Sequence, residues 1–390
     1  MTTRAEGGWV RLPISEIADF GSGDLISVAQ LSERSTSCPY PVFGGNGIAG
    51  YTSVTTVTSP TVILGRVGQK CGVVYRNTGP AWITDNALYM RRVKRPVDVS
   101  YLALALEAAR LNDVRNQNDL PLITQAILRD IVIPWPESLE EQRAISFVHA
   151  DVDAFIAALQ RLIAKKEAIR EAMVQELMSG STRLPGFADQ WPEVTLSAVA
   201  TGLRGAGLSK EAVVPSGSKP CILYGELFTT YGRRIGNVVS RTNTGLGIDS
   251  QAGDVLIPGS TTTIARDLAT ASALHTPGVL LGGDINIVRP GKLIDPDWLA
   301  YYVTYRLPGR IAEIAQGTTI KHLYVKDILR CRIALPTVEE QREIVAALLD
   351  VEEEVSILRR RLKKGGEIRQ GIMQQLPTGR TRFYISGEAA

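Results

Sequence analysis

The chain has little of what most enzyme chemistry requires. Of its 390 residues only three are histidines, His149, His275 and His322, and only four are cysteines, Cys38, Cys71, Cys221 and Cys331. The cysteines are scattered and form no C-x-x-C pair, so neither a disulfide framework nor a zinc knuckle is indicated, and a reduced, cytoplasmic setting fits best. No run approaches about 18 uncharged apolar residues, and the opening MTTRAEGGWV has no apolar signal core, so membrane insertion is not expected. An excess of one charge is missing too. Forty-three Lys and Arg against forty Asp and Glu leave a net charge of +3, so any attraction for nucleic acid must come from local patches.

What the chain does have is a stretch that occurs twice. Residues 140–183 begin EEQRAI and residues 339–382 begin EEQREI, and at an offset of 199 they align without a gap, with 17 of 44 positions identical. Chance would supply about two or three, so the chain is an internal duplication. Each copy reads as a long helix. Ser138 with Glu141, and Thr337 with Glu340, have capping-box spacing just after Pro136 and Pro336. Ile145, Val148, Val152, Phe155, Leu159, Leu162, Ile169 and Met173 follow at coiled-coil steps, as do Ile344, Leu348, Val351, Val355, Leu358 and Leu362 in the second copy. Gly180, and Pro377 with Gly379, mark the ends. Nearly forty residues make a rod of roughly 58 Å.

Around the rods lie two globular regions. In the first, residues 62–64, 72–75 and 87–90 read as strands, a helix follows from Asp98, and a last strand at residues 131–133 leads into the first rod. The second has strands expected at residues 221–224, 235–240, 254–257 and 284–288. Its flanks match the first: Trp191, Leu196, Ser197 and Ala200 stand 182 residues after Trp9, Ile14, Ser15 and Ala18, and Asp295, Trp298, Leu299 and Ala300 stand 197 after Asp98, Tyr101, Leu102 and Ala103. Matched flanks around dissimilar middles describe one scaffold displaying two faces. The expected fold is α+β: two mixed α/β domains at 1–136 and 181–336, separated by helices at 137–180 and 337–377, with a tail at 378–390.

Charge bears on how the rods pair. Residues 140–159 carry four acids and one base, and 160–178 four bases and three acids. Residues 339–358 carry seven acids and one base, and 359–376 six bases and one acid. Acid-first order suits each helix dipole, and it also favours an antiparallel pair, in which acidic halves meet basic halves. That pairing places Gly365 near Val152 rather than beside Lys166, with a kink or a close packing contact at Gly365 and Gly366. An antiparallel pair carrying a unit at each end is pseudo-two-fold symmetric, a geometry suited to reading a split site on duplex DNA.

The segments IPWPESLEEQRAI and IALPTVEEQREI, with YPVFGGNGIAGY and ILGRVG in the first region and GDVLIPGS, GGDINIV and GTTIKHLYVKDI in the second, resemble the specificity subunit of type I restriction-modification enzymes over nearly the whole chain. The resemblance implies two target-recognition domains that each read half of a bipartite double-stranded DNA site. It also implies helices that set the spacer and dock two methyltransferase subunits, translocase-nuclease restriction subunits that join for cleavage, and S-adenosylmethionine, ATP and Mg on those partners rather than on this chain. A methylation-only or fused restriction system, or a dimerising coiled-coil scaffold without a DNA role, are the alternatives.

Base edges carry sequence information, whereas phosphate contacts position a protein. Candidates are therefore polar or basic residues on loops of the dissimilar middles. In the first region these are Asn46 in a glycine loop, Arg66 and Lys70 around a Gly-Val-Gly turn, and Arg91, Arg92, Lys94 and Arg95 for phosphate. In the second, Thr229, Thr230, Tyr231, Arg233 and Arg234 are expected on a hairpin, Ser260, Thr261, Thr262, Thr263 and Arg266 after a strand, and Lys321 and His322 complete the set. Each must be weighed against the ordinary reading of turns and surface arginines as needing no ligand. Enzyme readings fare worse. Gly45-Asn46-Gly47-Ile48-Ala49-Gly50 matches the dinucleotide fingerprint G-x-G-x-x-G, but a β-prone segment follows where a helix is required. No G-x-x-x-x-G-K-[ST], N-P-P-[YF] or D-P-P-Y segment is present, and the three histidines lie apart. A non-catalytic recognition subunit is expected.

Overall fold

The computed structural model describes residues 4–5, 8–113 and 121–382; of the expected tail, residues 383–390 lie outside these. Two long helices, Leu139–Ser179 and Val338–Gln375, run through the chain. The chain forms two compact units, residues 1–161 with 360–390, and residues 162–359. Each unit therefore combines one globular region with half of each long helix.

In the first unit a four-stranded sheet runs in the order Ala18–Ser22, Ala87–Val93, Val62–Gly65, Val74–Arg76. A second sheet joins Gly47–Thr52, Tyr40–Gly44 and Trp82–Ile83, the last pair parallel. The helix Val99–Ala108 starts where expected because Asp98 accepts a hydrogen bond from the amide of Tyr101. Tyr101 and Trp135 are buried edge to face against each other in the same core as Ile145 and Leu376 of the long helices.

The second unit repeats this plan. Ala200–Arg204, Ile285–Pro290, Asp254–Pro258 and Ser272–Leu274 occupy the same places in its main sheet, which gains Arg234–Ile235 at the edge. Lys219–Ile222 pairs parallel with Leu280–Leu281 as Tyr40–Gly44 does with Trp82–Ile83. The expected long strand over residues 235–240 is limited to Arg234–Ile235, with a separate short strand at Arg241–Thr242.

The duplicated EEQR segment has a specific anchoring chemistry. In the first unit Gln142 is fully buried. Its Oε1 accepts from the amide of Asp98 at 2.8 Å, and its Nε2 donates to the Pro136 carbonyl at 3.0 Å. In the second, Gln341 does the same with Asp295, at 2.7 Å, and Pro336, at 2.8 Å. One side chain thus ties the helix start to both the domain helix and the preceding strand. The amides of Glu141 and Glu340 donate to Ser138 and Thr337 as the capping spacing predicts. Neither carboxylate turns back to complete the box. Glu141 accepts from the Trp9 indole at 2.9 Å, and Glu340 accepts from the Trp191 indole at 3.0 Å and from Arg183 at 2.6 and 2.7 Å. A buried indole N–H needs an acceptor, and the carboxylate supplies it.

Within each unit the two helix halves pair antiparallel, with the same ion pair in both: Arg369 to Asp153 at 2.6 Å in the first, Arg170 to Glu352 at 3.5 Å in the second. The second adds Lys166–Glu354 and Arg359–Glu167, each at 2.5 Å. A Cβ on Gly365 would lie 3.3 Å from Ile156 Cγ1, one helical turn beyond the expected Val152. The second helix is continuous there, so the glycine serves close packing and no break. The expected seam is partly corrected. Phe155, Leu162 and Ile169 are 52%, 41% and 38% exposed, while Leu159 and Ile163 are buried. The packed column runs 145, 149, 152, 156, 159, 163, 166, 170, alternating steps of four and three as a coiled-coil seam does. Phe155, Leu162 and Ile169 form an adjacent column.

Candidate nucleic-acid interface

The main sheet of each unit ends in a cluster of loops, and the two clusters occupy the same topological position. In the first unit the strand ends Ser22, Gly65 and Ala87 lie together, since Ser22 pairs with Leu88 and Gly65 with Ala87. In the second, Arg204 pairs with Asn286 and Pro258 with Ile285. The segment after the central strand then meets a distant loop: Val67 bridges Leu122 in one unit, and Ser260 and Thr261 pair with His322 and Lys321 in the other. Buried Asn286 fixes the latter contact by donating to the Leu323 carbonyl at 3.0 Å.

The first cluster gathers Asn46, Arg66 and Lys70. Asn46 is exposed at the tip of the hairpin between Tyr40–Gly44 and Gly47–Thr52. A Cβ on neighbouring Gly45 would lie 3.0 Å from the Asn86 carbonyl and 3.4 Å from that of Val67, so the tip sits against the strand ends. The G-x-G-x-x-G match therefore lies on a β-hairpin with no helix to receive a pyrophosphate, as the β-prone sequence after it predicts. Arg66 is half-buried, with Nη1 donating to Ser22 Oγ at 3.1 Å. Arg91 reaches the Ser22 carbonyl and lies over the Tyr89 ring. Arg92, Lys94 and Arg95 are not brought to this cluster. They sit toward the other end of the Ala87–Val93 strand, where Lys94 pairs with Asp19 at 2.5 Å and Arg95 with Glu16 at 3.3 Å.

The second cluster gathers Ser260, Thr261, Thr262, Thr263, Arg266, Lys321 and His322. Thr262, Thr263 and Arg266 are exposed, Thr261 and Thr263 share a hydroxyl–hydroxyl bond of 2.8 Å, and Lys321 Nζ donates to the Gly317 carbonyl at 2.8 Å across the loop of residues 316–322. Three residues outside the expected DNA candidates belong here: Arg204, Asp284 of GGDINIV and Tyr324 of GTTIKHLYVKDI. Arg204 Nη2 meets Asp284 Oδ1 at 2.5 Å, Ser260 Oγ donates to Asp284 Oδ2 at 3.2 Å, and the Arg204 guanidinium lies 5.6 Å from the centre of the Tyr324 ring. Arg204 stands 182 residues after Ser22, the offset of the matched openings, and that was the available signal. Asp284 adopts φ +59°, an uncommon conformation for a non-glycine residue that recurs at functional sites.

Thr229, Thr230, Tyr231, Arg233 and Arg234 lie elsewhere, and the expected hairpin is not formed. Glu226–Thr229 is a helical turn, held because Glu226 accepts from the amide of Leu223 at 2.7 Å and from Ser240 Oγ at 2.7 Å. Tyr231 packs on the apolar layer around Ile222 and Leu256 and accepts from the amide of Val239. Arg233 bonds to Thr304 and Arg234 approaches Asp297 at 3.8 Å, so both face the helix Pro296–Arg306. Burial lowers the Arg233 pKa from its ordinary value, as expected of a cation held inside rather than offered to phosphate. Among the described residues no cluster of three or more His, Cys, Asp or Glu residues has metal-binding geometry, and no helix is long and apolar enough to cross a membrane.

The model of the type I restriction modification DNA specificity domain matches residues 189–364. The type I restriction enzyme EcoprrI specificity subunit of Escherichia coli is 30% identical over 139 residues, which cover 35% of this chain and 34% of that protein. The chain thus spans about a third of that relative. The putative type I restriction enzyme MjaX specificity subunit of Methanocaldococcus jannaschii is 23% identical over 313 residues, covering 76% of this chain and 71% of the relative. Two crystal structures share the fold. The type I S subunit from M. genitalium has a TM-score of 0.60 at 16% identity and covers 96% of this chain and 98% of its own; the HsdS subunit from Thermoanaerobacter tengcongensis has 0.54 at 17%, covering 97% and 99%. The chain is thus similar in fold over nearly its whole length, and in sequence over residues 189–364, to type I restriction-modification specificity subunits.

Proposed function

We propose that the chain is the non-catalytic, sequence-reading subunit of a type I restriction-modification complex in the cytoplasm, and that each unit reads one half of an asymmetric, bipartite site on double-stranded DNA. The observation that carries this is the recurrence of one loop cluster at the same sheet end of both units with different side chains: Asn46, Arg66 and Lys70 in one, Arg204, Thr262 and Lys321 in the other. A repeated scaffold with unlike polar tips suits two unlike half-sites, since sequence is read at base edges by side chains that differ from site to site.

Both long helices contribute to both units, and on this reading they set the spacer between the half-sites. Phe147 and Phe155 in the first unit, and Leu162 and Ile169 in the second, are exposed apolar residues on the first long helix. On this reading they lie on the surfaces where the two methyltransferase subunits dock, with restriction subunits joining the assembly. S-adenosylmethionine is then held by the methyltransferases, and ATP and Mg by the restriction subunits. The test is to express the chain with its methyltransferase partner in cells and map adenine methylation. A single two-part motif is expected, and exchanging residues 196–331 for those of a relative should change one half only. An unmodified genome overturns the proposal.

A further inference from the structure

Arg204 is held in the second loop cluster by both a carboxylate and an aromatic ring. It ends the edge strand of the main sheet, so its backbone is fixed by pairing with Asn286. Its side chain is 46% exposed, yet it is held on two sides: Asp284 takes Nη2 at 2.5 Å, and the Tyr324 ring lies 5.6 Å from the guanidinium carbon. Asp284 is itself fixed. Ser260 Oγ donates to its second oxygen at 3.2 Å, and its carbonyl accepts from the amide of Gly259 at 2.6 Å, an approach that leaves no room for a Cβ at residue 259, which would lie 2.8 Å from that oxygen. The hydrogen bond to Asp284 runs from Nη2 alone, which leaves the rest of the planar donor fork outside that bond.

This arrangement separates two roles that an exposed arginine can play on DNA. A phosphate contact draws on net positive charge, and the Asp284 carboxylate at 2.5 Å offsets that of Arg204, leaving Lys326, 5.7 Å from the same Tyr324 ring and without an ion pair among the described residues, as the charge better suited to phosphate. A base contact needs a guanidinium held in one orientation, which a carboxylate on one edge and an aromatic ring on one face provide. We infer that Arg204, oriented by Asp284 and Tyr324, is a specificity-determining residue that reads one guanine, through O6 and N7, in the half-site of the second unit. The inference rests on the DNA-reading function proposed above. In the first unit the same strand end carries Ser22, and two guanidiniums from other segments lie beside it: Arg66, with Ser22 Oγ and the Asp85 carbonyl as acceptors, and Arg91, which donates to the Ser22 carbonyl and lies over the Tyr89 ring. The two units therefore deliver an arginine to one place from different points in the chain, which predicts different base positions in the two half-sites.

The test uses the chain assembled with its methyltransferase partner and a pool of duplexes of randomised sequence. Bound duplexes are sequenced for the wild type, Arg204→Ala, Arg204→Lys and Asp284→Asn. The wild type is expected to enrich a two-part motif. Arg204→Ala should lose selection at one guanine of one half, by roughly 5- to 150-fold, with every other position kept. Arg204→Lys, which keeps the charge but loses the planar fork, and Asp284→Asn should relax the same position. A motif unchanged in all three variants, or a uniform loss of binding with a shallower salt dependence, assigns Arg204 to scaffold or phosphate and overturns the inference. A wild type that enriches no motif overturns the DNA-reading function instead.

Discussion

Replacing Glu340 with alanine tests how the second unit is held together. The carboxylate is 1% exposed and accepts three hydrogen bonds, two from Arg183 and one from the Trp191 indole. It thereby ties the segment after the first long helix, the opening of the second domain and the start of the second long helix to one point. Deleting one partner of a buried pair costs about 3–5 kcal/mol because the other charge is left uncompensated. Arg183 keeps a fifth of its side chain in solvent and a bond of 2.6 Å to the Asp189 carbonyl, so the low end, about 3 kcal/mol, applies. For a unit of some 200 residues each kcal/mol moves the melting temperature by about 2–4 °C, giving a fall of about 6–12 °C. Scanning calorimetry reads the fall, and hydrogen exchange locates it in residues 162–359. Glu340→Gln should cost less, since an acceptor for the indole remains. Arg183→Ala with Glu340→Ala should be less destabilised than the sum of the singles, because the double variant buries no lone charge. Additive losses, or a single variant melting within about 2 °C of the wild type, would refute the reasoning.

Two further perturbations follow from the helix pairs. A Cβ on Gly366 meets nothing within 4 Å, whereas one on Gly365 lies 3.3 Å from Ile156. Gly366→Ala should therefore stabilise the first unit by about 1 kcal/mol through helix propensity, and Gly365→Leu should destabilise it by about 1–3 kcal/mol through overpacking, both read by thermal melts. His149 is buried with Nε2 unbonded, and burial lowers its pKa although nearby Asp153 opposes this. The unfolded chain takes up a proton as pH falls through about 6.5 while the folded unit resists, so this residue's contribution is present above that pH and is lost below it. Glu107, whose pKa burial raises, acts in the opposite sense, so the comparison is with His149→Leu, the residue type found at the matching position 348. The variant should gain stability over the wild type between about pH 7.5 and about pH 5.5. A constant difference across that range would remove His149 as the cause.

The duplication, the helix starts, the preference for an antiparallel pair and the plan of the two domains were legible in the residues alone. These rest on local chemistry: a serine or threonine three residues before an acid caps a helix wherever it lies, and charge order along a helix is legible without its partner. What spacing misplaced was the phase of the first helix, whose expected seam ran through Phe155, Leu162 and Ile169. Two neighbouring columns of the first helix are both apolar, one through Ile145, Ile156 and Ile163, the other through Phe155, Leu162 and Ile169, and spacing alone does not say which faces the partner. The tertiary structure chose the first, because Gly365 closes on Ile156. It also decided which polar residues meet. Asn46, Arg66 and Lys70 lie on neighbouring loops, whereas Arg233 turns inward to Thr304 and Arg234 stays half in solvent beside Asp297, because Glu226 folds their expected hairpin into a helical turn. Arg204, Ser260, Asp284 and Tyr324 share one site only because four distant segments end at the same edge of a sheet, and no local pattern in a chain records where its strands stop in space.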